Sequence, residues 1–139
     1  MNQSENLAFS MTPESIRFYA KIQGQGAAAP IRAPTTFSST SFISFMHASN
    51  NFISLVATDI TRSGAGVYTA KLRDFLPVIV AMDIQVAGTN GKWGSIVDYN
   101  PTTGVISFLT FSSAGAATDL ATTDFAVFVI DGQKVKPTY

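Results

Sequence analysis

Apolar and polar side chains alternate along most of this chain, and the alternation has a period of two. In residues 15–23, SIRFYAKIQ, Ile16, Phe18, Ala20 and Ile22 fall on one face, while Arg17, Tyr19 and Lys21 fall on the other. That period puts successive side chains on opposite sides of an extended backbone, so the stretch predicts a half-buried strand. GQGAAAPIRAP then breaks the pattern with glycines and prolines and reads as a long loop. TFSSTSFISFMHAS predicts another strand, and residues 52–59 of NNFISLVATDITR a further one, with Asn-rich ASNN turning between them.

RSGAGVYTAKL, residues 62–72, places two glycines before an alternating run. In a dinucleotide-binding fingerprint the glycines follow a strand and open a helix. Here β-branched and aromatic residues follow Gly66, so the stretch predicts a tight turn into a strand over 67–72. LPVIVAMDIQVAG is the most apolar segment. Strict alternation puts Val78, Val80, Met82, Ile84 and Val86 on one face and Ile79, Ala81, Asp83, Gln85 and Ala87 on the other. TNGKW predicts a hairpin, because Asn-Gly suits the positive backbone angles of a type I′ turn. GSIVDY and VISFLTF, joined by NPTTG, predict a second hairpin. SSAGAATDLATTD reads as a loop over the sheets or a segment reaching a partner. FAVFVID is apolar on both faces and predicts a strand that lies centrally or beneath an interface.

These elements amount to roughly eight strands with no convincing helix, so the expected fold is all-β, an antiparallel β-sandwich or jelly roll, with a closed barrel as the alternative. The expected organisation is an N-terminal arm over 1–14, one β-domain over 15–131 and a C-terminal tail over 132–139.

Composition sharpens this picture. Charged residues make up only 13% of the 139, and the formal net charge is zero. A coat of Ser, Thr, Asn and Gln is one explanation. A surface that faces other protein is the other, and we favour it because charge is depleted in interface cores. No basic patch attracts a phosphate backbone, so nucleic acid is not an expected partner. No run of eighteen apolar residues predicts a transmembrane helix, and no membrane partner is expected. The start, MNQSENLAFSM, does not read as a signal peptide. With no cysteine, disulfides and thiolate chemistry are excluded.

The search for chemistry returns little. His47 is the single histidine and lies among Phe and Met, where an incidental role outweighs catalysis. Asp119 and Asp124 share one Thr-rich loop. A calcium site is one reading of that pair; the simpler reading is that they bond local backbone amides and hold the loop. Asp59 with Arg62, and Asp74 with Arg73, are expected to solvate turns or meet other subunits. Trp93 covers the end of a hairpin, anchors an interface or stacks on a ligand. No catalytic, cofactor-binding or metal-binding residue is assigned, and no cofactor is expected.

RSGAGVYTAKL, GSIVDYNPTTGVISFLTF, GAATDLATTD and FAVFVID together resemble small virion structural proteins of tailed bacteriophages, over roughly residues 50–131. That resemblance implies a capsid decoration (cement) protein or head fibre, a β-sandwich or jelly roll, and assembly as a homotrimer on the outer capsid surface of the virion. It implies no active-site residues. The leading expectation is therefore a non-enzymatic protein that reinforces contacts between shell subunits. A tail, baseplate or fibre domain that recognises a host glycan is the alternative, and a glycan-active enzyme the third. Tyr68, Trp93, Phe128 and Ile130 are the candidate interface residues, with the core an equal possibility for Tyr68, Phe128 and Ile130.

Overall fold

The computed structural model describes residues 15–33, 52, 57–73, 78–88 and 91–133. Within them eight strands run in order: β1 (Ser15–Gln25), β2 (Ala28–Arg32), β3 (Ile60–Gly64), β4 (Val67–Lys71), β5 (Val78–Ala87), β6 (Trp93–Asn100), β7 (Val105–Phe111) and β8 (Phe125–Gln133). They form two four-stranded sheets with orders β2-β1-β8-β5 and β3-β4-β7-β6. Every pairing is antiparallel. The described residues form an all-β sandwich, as expected, rather than a closed barrel. The expected strand within 36–49, His47, the 1–14 arm and residues 134–139 lie outside the described residues.

The inner faces meet in one core. Ala20 and Ile22 of β1 and Ala126, Phe128 and Ile130 of β8 face Tyr68, Ala70, Ile106 and Phe108 of the second sheet. Aromatic rings link the sheets: Phe128 meets Phe52 edge-on at 5.1 Å and Phe108 edge-on at 4.9 Å, and Tyr68 tilts against Phe108 at 5.3 Å. Such pairs contribute about 0.5–1.5 kcal/mol each beyond their burial. Phe128 therefore holds both halves together, which explains why β8 must be apolar and central.

Four expectations are corrected. Ala28–Arg32 is not loop but the edge strand β2, paired with β1. Its side chains are exposed on both faces except at Pro30, so no alternation marked it. Residues 57–59 form a turn, and the strand starts at Ile60. TNGKW does not close a hairpin, because β5 pairs with β8 while β6 pairs with β7. Turn chemistry specifies a chain reversal but not which sheet receives the next strand. Finally, strict alternation fails in β5. The register shifts between Ile79 and Ala81, so Val80 and Ala81 together oppose Asp131. A bulge of this kind adds one residue and switches the faces beyond it. Ile79, Met82, Ile84 and Val86 consequently pack on the core, while Val80 stands 68% exposed.

The NPTTG hairpin forms as expected. Asn100 Oδ1 accepts the Thr102 N–H at 2.9 Å and the Thr103 N–H at 3.2 Å. Gly104 takes a φ of 76° and its N–H returns to the Asn100 carbonyl at 2.8 Å. In RSGAGVYTAKL the glycines shape the β3–β4 turn, with Gly66 at a φ of 68°. A Cβ there would lie 2.5 Å from the Thr110 carbonyl oxygen, so the site needs glycine for both its backbone angle and its close neighbour.

Candidate interaction surface

The β7–β8 loop, residues 112–124, is fastened to one end of the sandwich by two carboxylates, Asp119 half-buried and Asp124 fully buried. Asp119 accepts four hydrogen bonds: Arg62 Nε and the Gly66 N–H at 2.8 and 2.9 Å and the Tyr68 hydroxyl at 3.1 Å on Oδ1, and Arg62 Nη2 at 2.8 Å on Oδ2. The Tyr68 hydroxyl also accepts the Leu120 N–H at 2.9 Å. Five residues later Asp124, fully buried, accepts Lys92 Nζ at 2.6 Å and the Ala121 N–H at 2.8 Å. Lys92 Nζ also donates to the Asp119 carbonyl at 2.9 Å. The two acids therefore hold the loop. Arg62 reaches Asp119 rather than Asp59, a pairing that sequence proximity concealed.

The Arg62 guanidinium holds the Asp119 carboxyl down at about 2, with the Gly66 N–H and Tyr68 hydroxyl adding to it and desolvation opposing. Burial pushes the Tyr68 phenol up. A carboxyl this acidic is a weak base at neutral pH, so the arrangement acts as a clamp. No group of three or more potential metal ligands occurs among the described residues.

Of the four candidate interface residues, Tyr68, Phe128 and Ile130 belong to the core of the single chain, at 1%, 0% and 0% exposure. Tyr68 also organises the clamp. Trp93 is different: it is 47% exposed and stacks on Phe111, with centroids 4.3 Å apart at 24°.

Trp93 belongs to a larger feature, the outer face of the second sheet. Cross-strand register aligns Trp93 with Phe111, and Ser95 with Leu109 and Val67. A bulge between Ile96 and Asp98 sets Val97 and Asp98 together against Ser107, which pairs onward with Thr69. Val67 and Val97 are 37% and 61% exposed. Leu109, Phe111 and Val105 are half-buried. Lys71 and Asp98 are the charged side chains on this face among the described residues. The outer face of the first sheet has an apolar centre in Phe125, Val127 and Val129 of β8, but more charge surrounds it. Arg17 and Asp131 pair at 2.7 Å, and Lys21 lies over the Phe125 ring at 4.3 Å. Of the central strands, β7 and β8 are thus largely apolar on both sides.

Comparison with protein families, curated proteins and solved structures finds no match. What this chain does must therefore be argued from its surface. The exposed valines at 80 and 97 could not be found from periodicity, since each bulge breaks the period that would reveal it. Trp93 was legible as the single tryptophan beside a turn.

Proposed function

We propose that this chain is a non-enzymatic structural protein of a bacteriophage virion. It seats as a homotrimer on the outer surface of the capsid and ties neighbouring shell subunits together. The observation that supports this reading is the nearly uncharged outer face of the second sheet, with Trp93, Val97 and Val67 open to solvent. Exposed apolar patches of this kind mark contact surfaces. The sequence resemblance supplies the virion setting and the trimer.

The energetics explain why a decoration protein of this size would act as an oligomer. A patch of about 400 Å² contributes about 10 kcal/mol at ~25 cal/mol per Å². Association costs about 4–15 kcal/mol in lost freedom and ordering, so one face alone binds weakly. Linking three copies turns later contacts into intramolecular ones and raises the avidity. The two outer faces differ in how many charged side chains they carry, so head-to-tail contacts would bring unlike patches together around a ring.

The test adds purified protein to assembled shells that lack it, followed by co-sedimentation and imaging of the particles. The expected result is saturable binding and density on the shell faces, lost in Val97→Glu. Density confined to the tail, or no binding, overturns the assignment.

A further inference from the structure

Where β5 turns into β6, the two sheets leave an open cleft of about 260 Å³ lined by Ile84, Gln85, Val86, Lys92, Trp93 and Gly94. We propose that this cleft binds one ring of a neutral pyranose, as the terminal unit of a glycan. The site shares Trp93 with the outer-face patch invoked for capsid contact, so the two readings compete for that ring, and the case for the cleft rests on four properties of its lining.

First, Trp93 offers a prepared platform. One face of its indole is stacked on Phe111 and nearly half of the side chain stays in solvent. The ring is already ordered, so stacking a ligand on the open side costs little side-chain entropy. Second, the Gln85 side chain is exposed on the edge strand β5. Its amide carries donors and an acceptor, which suits adjacent hydroxyl groups. Third, Lys92 is held in place by the Asp124 carboxylate and the Asp119 carbonyl, and those contacts use two of its three N–H donors. Its charge is neutralised by Asp124, so the cleft favours an uncharged polyhydroxylated ring over an anion. Fourth, the cleft is small and open, at about 260 Å³ just under the ~300 Å³ where drug-sized pockets start, which suits one ring at the end of a glycan.

The apolar ring face would lie on Trp93, with its hydroxyls directed to Gln85 and Lys92. One stack and a few solvent-exposed hydrogen bonds imply a dissociation constant on the order of 1–10 mM.

Trp93 is the single tryptophan, so its indole N–H gives one isolated signal in a ¹H–¹⁵N spectrum. The experiment titrates the full chain separately with methyl β-glucopyranoside, methyl β-galactopyranoside, N-acetylglucosamine, glucuronate and the open-chain polyol sorbitol. The expected result is a saturable shift with at least one neutral pyranose, weaker binding of glucuronate than of glucose, and no saturable response to sorbitol. Gln85→Ala should weaken binding several-fold, and Trp93→Ala should abolish saturable shifts in the backbone amides of Lys92 and Gly94. Because Gln85 lies on the surface, its variant tests the site whatever Trp93→Ala does to folding. Linear responses to all three neutral pyranoses up to about 50 mM, equal saturable binding of sorbitol, or unchanged affinity in Gln85→Ala would overturn the proposal.

Discussion

Replacing Tyr68 with phenylalanine deletes one oxygen and leaves the ring against Phe108. The hydroxyl accepts the Leu120 N–H at 2.9 Å and donates to Asp119 Oδ1 at 3.1 Å. Asp119 keeps its bonds from Arg62 and Gly66, so its share of the loss is small. Leu120 has no such reserve. It is fully buried, and its orphaned N–H costs about 1–3 kcal/mol. The net destabilisation should be about 2 kcal/mol, with a fall in Tm of about 8 °C for a domain of this size. Urea titration should show a lower midpoint with an unchanged slope, because the surface exposed on unfolding does not change. Hydrogen exchange adds a local signature: the Leu120 amide should exchange roughly 30-fold faster where local opening dominates, while the β1–β8 ladder speeds up only through the loss of global stability. A loss below about 0.5 kcal/mol together with unchanged Leu120 protection would refute the idea that this hydroxyl fastens the loop.

Three other outcomes follow from the same geometry. Asp119, held down at about 2, contributes stability that is fully present above an unfolded value of about 3.9 and disappears as pH falls through about 2. After screening this should amount to about 1–2 kcal/mol between pH 5 and pH 2, read as a Tm difference that Asp119→Asn largely removes; an unaltered acid slope in that variant contradicts it. Lys92→Met strips the buried Asp124 of its cation and should cost about 3–5 kcal/mol in chemical denaturation, with a loss below 1 kcal/mol counting against the pair. Gly66→Ala combines a left-handed backbone with a collision at the Thr110 carbonyl and should cost about 2–4 kcal/mol, whereas a neutral result would show that the turn relaxes freely.

Period-two alternation made β1, β4, β7 and β8 readable, because the described side chains on one face of each are buried, and β8 showed its central place by being apolar on both sides. β2 was invisible for the opposite reason: an edge strand exposed on two faces has no pattern to display. β5 and β6 were legible as strands but not in their facing, since Val80 and Val97 sit at bulges that reset the alternation. The clamp was half legible. A loop with Asp119 and Asp124 among threonines announced backbone anchoring, but their cations, Arg62 and Lys92, come from distant segments, and only the fold brings them within 2.8 and 2.6 Å. Tyr68, Phe128 and Ile130 illustrate the remaining ambiguity, because a two-sided apolar strand looks alike whether its partner is another sheet or another chain.

The assembly reading stands or falls on whether the apolar outer faces meet other protein. Sedimentation equilibrium of the full chain at about 10 µM, a concentration at which a micromolar contact is substantially populated, tests this most directly. We predict a species of three times the 14.8 kDa chain mass, reduced to the single-chain mass by Val97→Glu with Tm shifted by no more than about 3 °C. A single 14.8 kDa species that persists to about 100 µM would contradict it.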